Sequence, residues 1–84
     1  MHKYTVYILE SLKNGRYYVG YSNDLEKRIK QHNSGYTKGS RHLAPFKLVY
    51  KEEFDNLTDA VRRELYIKKQ KSRKFIRGLI NLGL

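Results

Sequence analysis

Residues Tyr4 to Ser22 read YTVYILESLKNGRYYVGYS, two β-branched and aromatic runs on either side of an Asn-Gly pair. Tyr4–Ser11 has the composition of a strand. Asn14-Gly15 is a hairpin-turn dipeptide that tolerates positive φ, and Arg16–Ser22 reads as the return strand. Residues paired across an antiparallel hairpin have a constant index sum, and side chains alternate between faces. A two- or four-residue loop around Asn14-Gly15 makes that sum odd. Tyr7 and Tyr18 then share a face, roughly 7 Å apart along the sheet, and Gly20 lies on the same face. With the four-residue loop, Gly20 stands directly opposite Tyr7 and leaves a gap beside its ring.

The hairpin leads into NDLEKRIKQHN, residues 23–33. Asn23 as cap with Glu26 three residues on makes a capping box, and Gly35 ends the helix. The apolar stripe is Leu25, Ile29 and, one helical step further, His32. Residues 34–44, SGYTKGSRHLA, are rich in glycine, serine and basic side chains and read as a mobile loop. A third strand, Phe46–Phe54, follows Pro45. Asp55-Asn56 marks the start of a second helix over about Leu57–Lys71. Ser72 can cap a short third helix carrying Phe75, Ile76, Leu79 and Ile80. The order β-β-α-β-α-α, with no repeat and no linker, predicts an α+β fold in which helices cover a small sheet, one domain over residues 1–84.

The chain has 84 residues, 39% of them hydrophobic, enough for one thin core. It has no cysteine, so neither disulfides nor thiolate metal sites contribute; this fits a cytoplasmic protein. The longest apolar run, Val6–Leu9, is too short for a signal peptide or a membrane span. Lysine and arginine number 18 against 8 acidic residues, a formal net charge of +10. That excess favours a polyanion, with nucleic acid ahead of an anionic membrane surface.

Three features carry chemistry. Tyrosines on the hairpin serve equally as packing aromatics or as stacking platforms for bases. Arg28 and His32, spaced i, i+4, share a helix face. The guanidinium can hold a phosphate bidentately, and the imidazole can donate to a phosphate or relay a proton near neutral pH. On the second helix Glu64 falls near the middle of an apolar stripe of Leu57, Ala60, Val61 and Leu65. A carboxylate there needs a cation. Lys68, one turn on, is one choice; Mg²⁺, which takes carboxylate oxygen and keeps several waters, is the other. One carboxylate for a metal, one arginine for developing charge and a phenol or imidazole for proton transfer together describe a phosphodiesterase site.

Those residues, in that order, resemble the GIY-YIG nuclease domain, particularly the small stand-alone bacterial type. The first motif stands as Thr5-Val6-Tyr7, with threonine in place of the motif's glycine, and the second as Tyr18-Val19-Gly20. Ser22, Arg28, His32 and Glu64 follow at matching spacings. The resemblance implies a three-stranded antiparallel sheet flanked by helices and a metal-dependent endonuclease acting on DNA. It implies that Tyr7 is the general base or orients the attacking water, and that Tyr18 lines the site. Arg28 would stabilise the phosphate, His32 would assist Tyr7, and Glu64 would bind one Mg²⁺ or Mn²⁺. His42 loosely matches a further site histidine. The late asparagine of many members has only Asn81 to match it here.

Lys27, Lys38, Arg41, His42, Lys68, Lys71 and Arg73 are the candidates for nucleic-acid contact, DNA rather than RNA, although KKQKSRK (Lys68–Lys74) also reads as a solvated helix face. One metal and one site imply nicking, with a role in DNA repair or processing. Target choice would come from residues 34–44, the basic surface or a protein partner. Two rivals stand beside this reading: a nucleic-acid-binding module that keeps the fold without chemistry, and an assembly protein docking its basic tail to an acidic partner.

Overall fold

The computed structural model describes residues 3–83. Its elements are β1 (Tyr4–Ser11), β2 (Tyr17–Ser22), α1 (Leu25–Asn33), a 3₁₀ turn (Arg41–Leu43), β3 (Phe46–Phe54), α2 (Leu57–Gln70) and α3 (Arg73–Gly83). The fold is α+β in the expected order. The three antiparallel strands lie in the order β2-β1-β3, with the first strand in the centre.

The hairpin closes through four residues, Leu12–Gly15, and the Ser11 amide donates to the Arg16 carbonyl at 2.8 Å. Gly15 takes φ 76, the left-handed conformation that the Asn-Gly pair anticipates. The resulting register pairs Tyr7 with Gly20 and Leu9 with Tyr18. Against β3, Ile8 faces Tyr50 while Leu9 faces Leu48. Val49 is therefore an extra residue on β3, a bulge beside the middle of the sheet.

A central strand covered on both faces explains why Val6, Tyr7, Ile8 and Leu9 are all buried in an unbroken run. Their alternation divides two cores. Val6, Ile8, Val19 and Tyr50 pack with Ala60 and Ile67 of α2, and α3 adds Phe75, Ile76, Leu79 and Ile80. On the other face Tyr7, Leu9, Leu43 and Phe46 pack with Tyr18, Leu25 and Ile29. Ser72 caps α3 as expected, its Oγ accepting from the Phe75 amide at 3.1 Å.

Three local expectations are corrected. The cap of α1 is Asp24, whose side chain accepts from the Lys27 amide at 3.2 Å. Ser22 Oγ accepts from the Asp24 amide and sets this start one residue later than Asn23. Glu26 instead approaches Lys30, i, i+4, on the solvent side. Residues 34–44 are more than a loop: Ser40 and Leu43 are buried, and the 3₁₀ turn seats Leu43 in the Tyr7 core. The inner face of α2 is Ala60, Glu64 and Ile67, whereas Leu57 and Leu65 are exposed. That face is rotated by about 70° from the expected stripe, leaving Leu65 roughly 140° from Ala60 at 100° per residue. Glu64 keeps its inward position.

Candidate active site

Tyr7 projects from the middle of β1 towards α1, and its ring covers the pleat left open by Gly20. A Cβ at Gly20 would come within 2.5 Å of the Tyr7 hydroxyl and 2.7 Å of Cζ. Glycine is needed here for close approach of a ring, not for φ. His32, from the inward face of α1, meets the same hydroxyl, with Nε2 3.0 Å from Tyr7 Oη. The other ring nitrogen, Nδ1, lies 2.8 Å from Ser40 Oγ. His32 and Ser40 are both fully buried. Tyr18 stands edge-on to the His32 ring, centroids 4.7 Å apart, and Phe46 closes the other side at 5.8 Å.

Arg28, one turn before His32, lies beside the Tyr7 hydroxyl and its charge favours the phenolate, yet burial outweighs it and pushes the Tyr7 pKa up. The charges of Tyr18 and Glu64 act in the same direction as burial. For His32, burial first and the Arg28 charge second lower the pKa, so the imidazole is neutral at pH 7. Gln31 Oε1 accepts from Arg28 Nη1 at 3.0 Å and helps hold the guanidinium.

Arg28 also borders a cleft of about 470 Å³ between the ends of β1 and β2 and the start of α1, lined among others by Tyr4, Tyr21, Asn23 and Lys27. On the far side of β2 a second cleft, of about 290 Å³, is lined by Tyr18, Ile67, Lys68 and Lys71. Glu64 stands beside it on α2, 8% exposed, with its Oε2 3.3 Å from Lys68 Nζ.

The structure therefore brings Tyr7, Tyr18, Arg28 and His32 into one cluster, with Glu64 near enough for its charge to act on Tyr7. Lys27 joins this region through the first cleft, and Lys68 and Lys71 through the second. Lys38, Arg41 and His42 are exposed around the 3₁₀ turn. Arg73 is engaged within the fold: it stacks over the Tyr17 ring at 4.8 Å and donates to the Gly15 carbonyl at 3.2 Å. Asn81 is exposed in the last turn of α3. Ser40 was not among the sequence candidates. It sits in a polar stretch without periodicity, and only the folded chain reveals that it faces His32. Gln31 was legible in principle, three residues beyond Arg28 on the same helix face.

The chain matches the family model described as the GIY-YIG catalytic domain over residues 3–77. It belongs to the GIY-YIG family. This is a nuclease family, and the hairpin register brings the motif residues Tyr7, Tyr18 and Gly20 to one face, while Val19 between them packs in the core under α2. Similar GIY-YIG chains include a UPF0213 protein of Staphylococcus saprophyticus, 45% identical over 83 residues that span 90% of this chain and 96% of that one. A UPF0213 protein of Clostridium perfringens is 52% identical over 65 residues, 76% of this chain and 69% of that one. The solution NMR structure of a UPF0213 protein from Bacillus halodurans superposes with a TM-score of 0.58 at 40% identity, covering 95% of this chain and 84% of that one. No helix among the described residues is long and apolar enough to cross a membrane.

The donor set bears on the divalent ion that GIY-YIG nucleases generally require. Among the described residues no group of three or more His, Cys, Asp and Glu side chains converges. Glu64 is a single buried carboxylate beside a cleft, with a half-exposed lysine as its partner. One carboxylate suits a hard ion that keeps most of its waters and takes its remaining ligands from substrate phosphate, which is how Mg²⁺ is commonly held.

Proposed function

We propose that this chain is a metal-dependent endonuclease that hydrolyses phosphodiester bonds in DNA, one strand at a time, and serves repair or processing of DNA in the cytoplasm. The observation that carries the reading is the convergence of His32 Nε2 and Arg28 on the single buried hydroxyl of Tyr7. A tyrosine packed only for stability needs neither a neutral imidazole nor a cation at its hydroxyl.

Glu64 would hold Mg²⁺ or Mn²⁺, with Lys68, half-exposed on a flexible stem, swinging from the carboxylate to a phosphate. When bound, the ion would supply Lewis-acid stabilisation of the negative charge that develops as the phosphodiester is cleaved. Arg28 neutralises charge growing on the phosphate. An ordinary phenol is a poor base at pH 7, and burial makes Tyr7 poorer still. Phenolate in advance is therefore not the route. The attacking water gives a proton to Tyr7 Oη as Tyr7 passes its own to His32 Nε2, while the water oxygen bonds to phosphorus and the 3′ oxygen leaves with the bonding pair and takes a proton from solvent. The cleft beside Arg28, with Tyr4 and Tyr21 on its walls, suits the nucleotide flanking the scissile phosphate. Lys27, Lys38, Arg41, His42 and Lys71 add sequence-independent attraction that falls with salt. Arg73 contributes charge from a fixed position rather than a free phosphate contact. A protein partner supplying target choice belongs to the same proposal.

One observation favours a binding module without chemistry: Lys68 already neutralises Glu64. Nicking of supercoiled plasmid and of branched and single-stranded oligonucleotides with Mg²⁺, Mn²⁺ or chelator separates the two readings. Metal-dependent nicking that drops at least about 100-fold in Glu64→Ala is expected. Salt-sensitive binding by both proteins without cutting on any substrate would sink the enzyme reading.

A further inference from the structure

A hydroxyl that nothing in the family motif designates completes the buried chain of polar atoms. We infer that Ser40 is a positioning residue that holds His32 in the tautomer protonated at Nδ1, so that Nε2 is an acceptor aimed at the Tyr7 proton. The inference rests on the nuclease reading for its chemical purpose, but the tautomer itself does not.

A neutral imidazole has one N–H and one bare nitrogen. Both nitrogens of His32 are engaged, at 3.0 Å to Tyr7 Oη and 2.8 Å to Ser40 Oγ, and no water-accessible surface is left on the residue. The direction is read at the Tyr7 end, and the acceptor that Ser40 supplies at Nδ1 is what stabilises it. Tyr7 is 1% exposed, and the side chains beside its hydroxyl are His32 and Arg28. A guanidinium donates and never accepts. Within this shell the phenol proton has one acceptor, His32 Nε2, which must then carry no proton. The single N–H of the ring is therefore on Nδ1 and donates to Ser40 Oγ. A serine hydroxyl suits this place because it can accept while its own proton rotates elsewhere.

The fold holds Ser40 in position independently of His32. Its amide donates to the Thr37 carbonyl at 3.2 Å, and its carbonyl accepts from the Leu43 amide at 2.9 Å. Leu43, three residues on, is anchored in the core beneath Tyr7. The segment that reads as a loop thus carries a fixed acceptor to the back of the histidine. A buried hydrogen-bonded partner of this kind orients an imidazole as outer-shell carboxylates and carbonyls orient metal-bound histidines.

The test is the tautomer. The chain has three histidines, His2, His32 and His42, so the imidazole nitrogens of a ¹⁵N-labelled sample can be assigned by replacing His2 and His42 with glutamine. Two-bond proton–nitrogen correlation spectra at pH 7.5 then report which nitrogen of His32 is protonated. The expected result is Nδ1–H in the wild type and loss of that preference in Ser40→Ala. A wild-type ring protonated at Nε2, or an Nδ1–H tautomer unchanged in a folded Ser40→Ala protein, overturns the assignment. Ser40→Cys, which keeps the side chain's size with a weaker acceptor, should give an intermediate preference and serves if the alanine variant does not fold. In the nicking assay Ser40→Ala should lower kcat by about 10- to 100-fold, as loss of an outer-shell partner does, with KM within about twofold. Absence of nicking by the wild type would count against the nuclease reading alone, because the tautomer is measured without substrate.

Discussion

Replacing Gly20 by alanine separates a packing requirement from a merely conformational one. Gly20 has no positive φ, so alanine meets no backbone penalty there. The penalty is the Tyr7 ring: the new Cβ would lie 2.5 Å from Oη, 2.7 Å from Cζ and 3.2 Å from Cε1. Ordinary contact needs about 3.4–4 Å, so the ring must retreat by about 1 Å. It is buried and hydrogen-bonded to His32 at 3.0 Å, and that retreat carries the hydroxyl past the distance at which a hydrogen bond survives. Overpacking costs about 1–3 kcal/mol, and an unsatisfied buried group adds about 1–3 kcal/mol. A total near 3 kcal/mol corresponds to a fall in Tm of about 12–24 °C for a domain of this size. Thermal unfolding followed by circular dichroism measures it. Gly39→Ala is the control: a Cβ at Gly39 meets nothing within 4 Å and its φ is not positive, so its Tm should stay within about 3 °C of wild type or rise slightly. A Gly20→Ala protein as stable as the Gly39→Ala control would refute the account of the Tyr7–Gly20 contact.

Gly78 lies inside α3 with open space where its Cβ would be, so Gly78→Ala should stabilise the fold by about 1 kcal/mol, measured by urea unfolding at constant m. The lowered pKa of His32 gives a pH dependence of defined sign. The folded state resists protonation that the unfolded chain accepts, so this contribution to stability is complete above about pH 6.5 and declines as pH falls through the folded-state value. The steepness of that decline between pH 7.5 and 5.5 should diminish in His32→Gln, and an identical slope in both proteins would contradict burial as the cause.

Much of this was readable in advance because it depended on local chemistry. Asn14-Gly15 marks the hairpin, either even-length loop puts Tyr7, Tyr18 and Gly20 on one face, and the four-residue loop of the structure sets Gly20 directly against Tyr7. The spacing of apolar residues along α2 put Glu64 inward even though Ile67, left out of that stripe, shifted its centre. The failures arise where alternatives are locally equivalent or where tertiary contact decides. Asn23 and Asp24 both cap helices well, and the Ser22 hydroxyl selects between them. Arg73 looks like one cation among several in Lys68–Lys74, but Tyr17 and the Gly15 carbonyl claim it. Ser40 lies eight residues from His32 with no period to connect them, and Leu43 is a single apolar side chain whose burial depends on the distant Tyr7 core. The candidate site is thus most legible where its residues share a strand pair or a helix face and least legible where a loop completes it.

The placement of β1 in the centre of the sheet has a consequence for vectorial synthesis. Of these three strands, the one that leaves the ribosome first is the one whose burial depends on almost everything in the domain made after it. Tyr4 pairs with Phe54, and Val6 and Ile8 are covered by Ala60, Ile67 and α3. A nascent chain that has emerged only as far as α1 can form the hairpin, but one edge and one face of β1 still await partners. Such pairings, distant along the chain, form late, and the uncovered apolar strand is exposed to intermolecular association in the interval. Cooperative folding must therefore wait for α2 and α3, and the phenol at the heart of the candidate site acquires its neighbours in stages: Gly20 from the hairpin first, His32 and Arg28 next, and the carboxylate of Glu64 near the end.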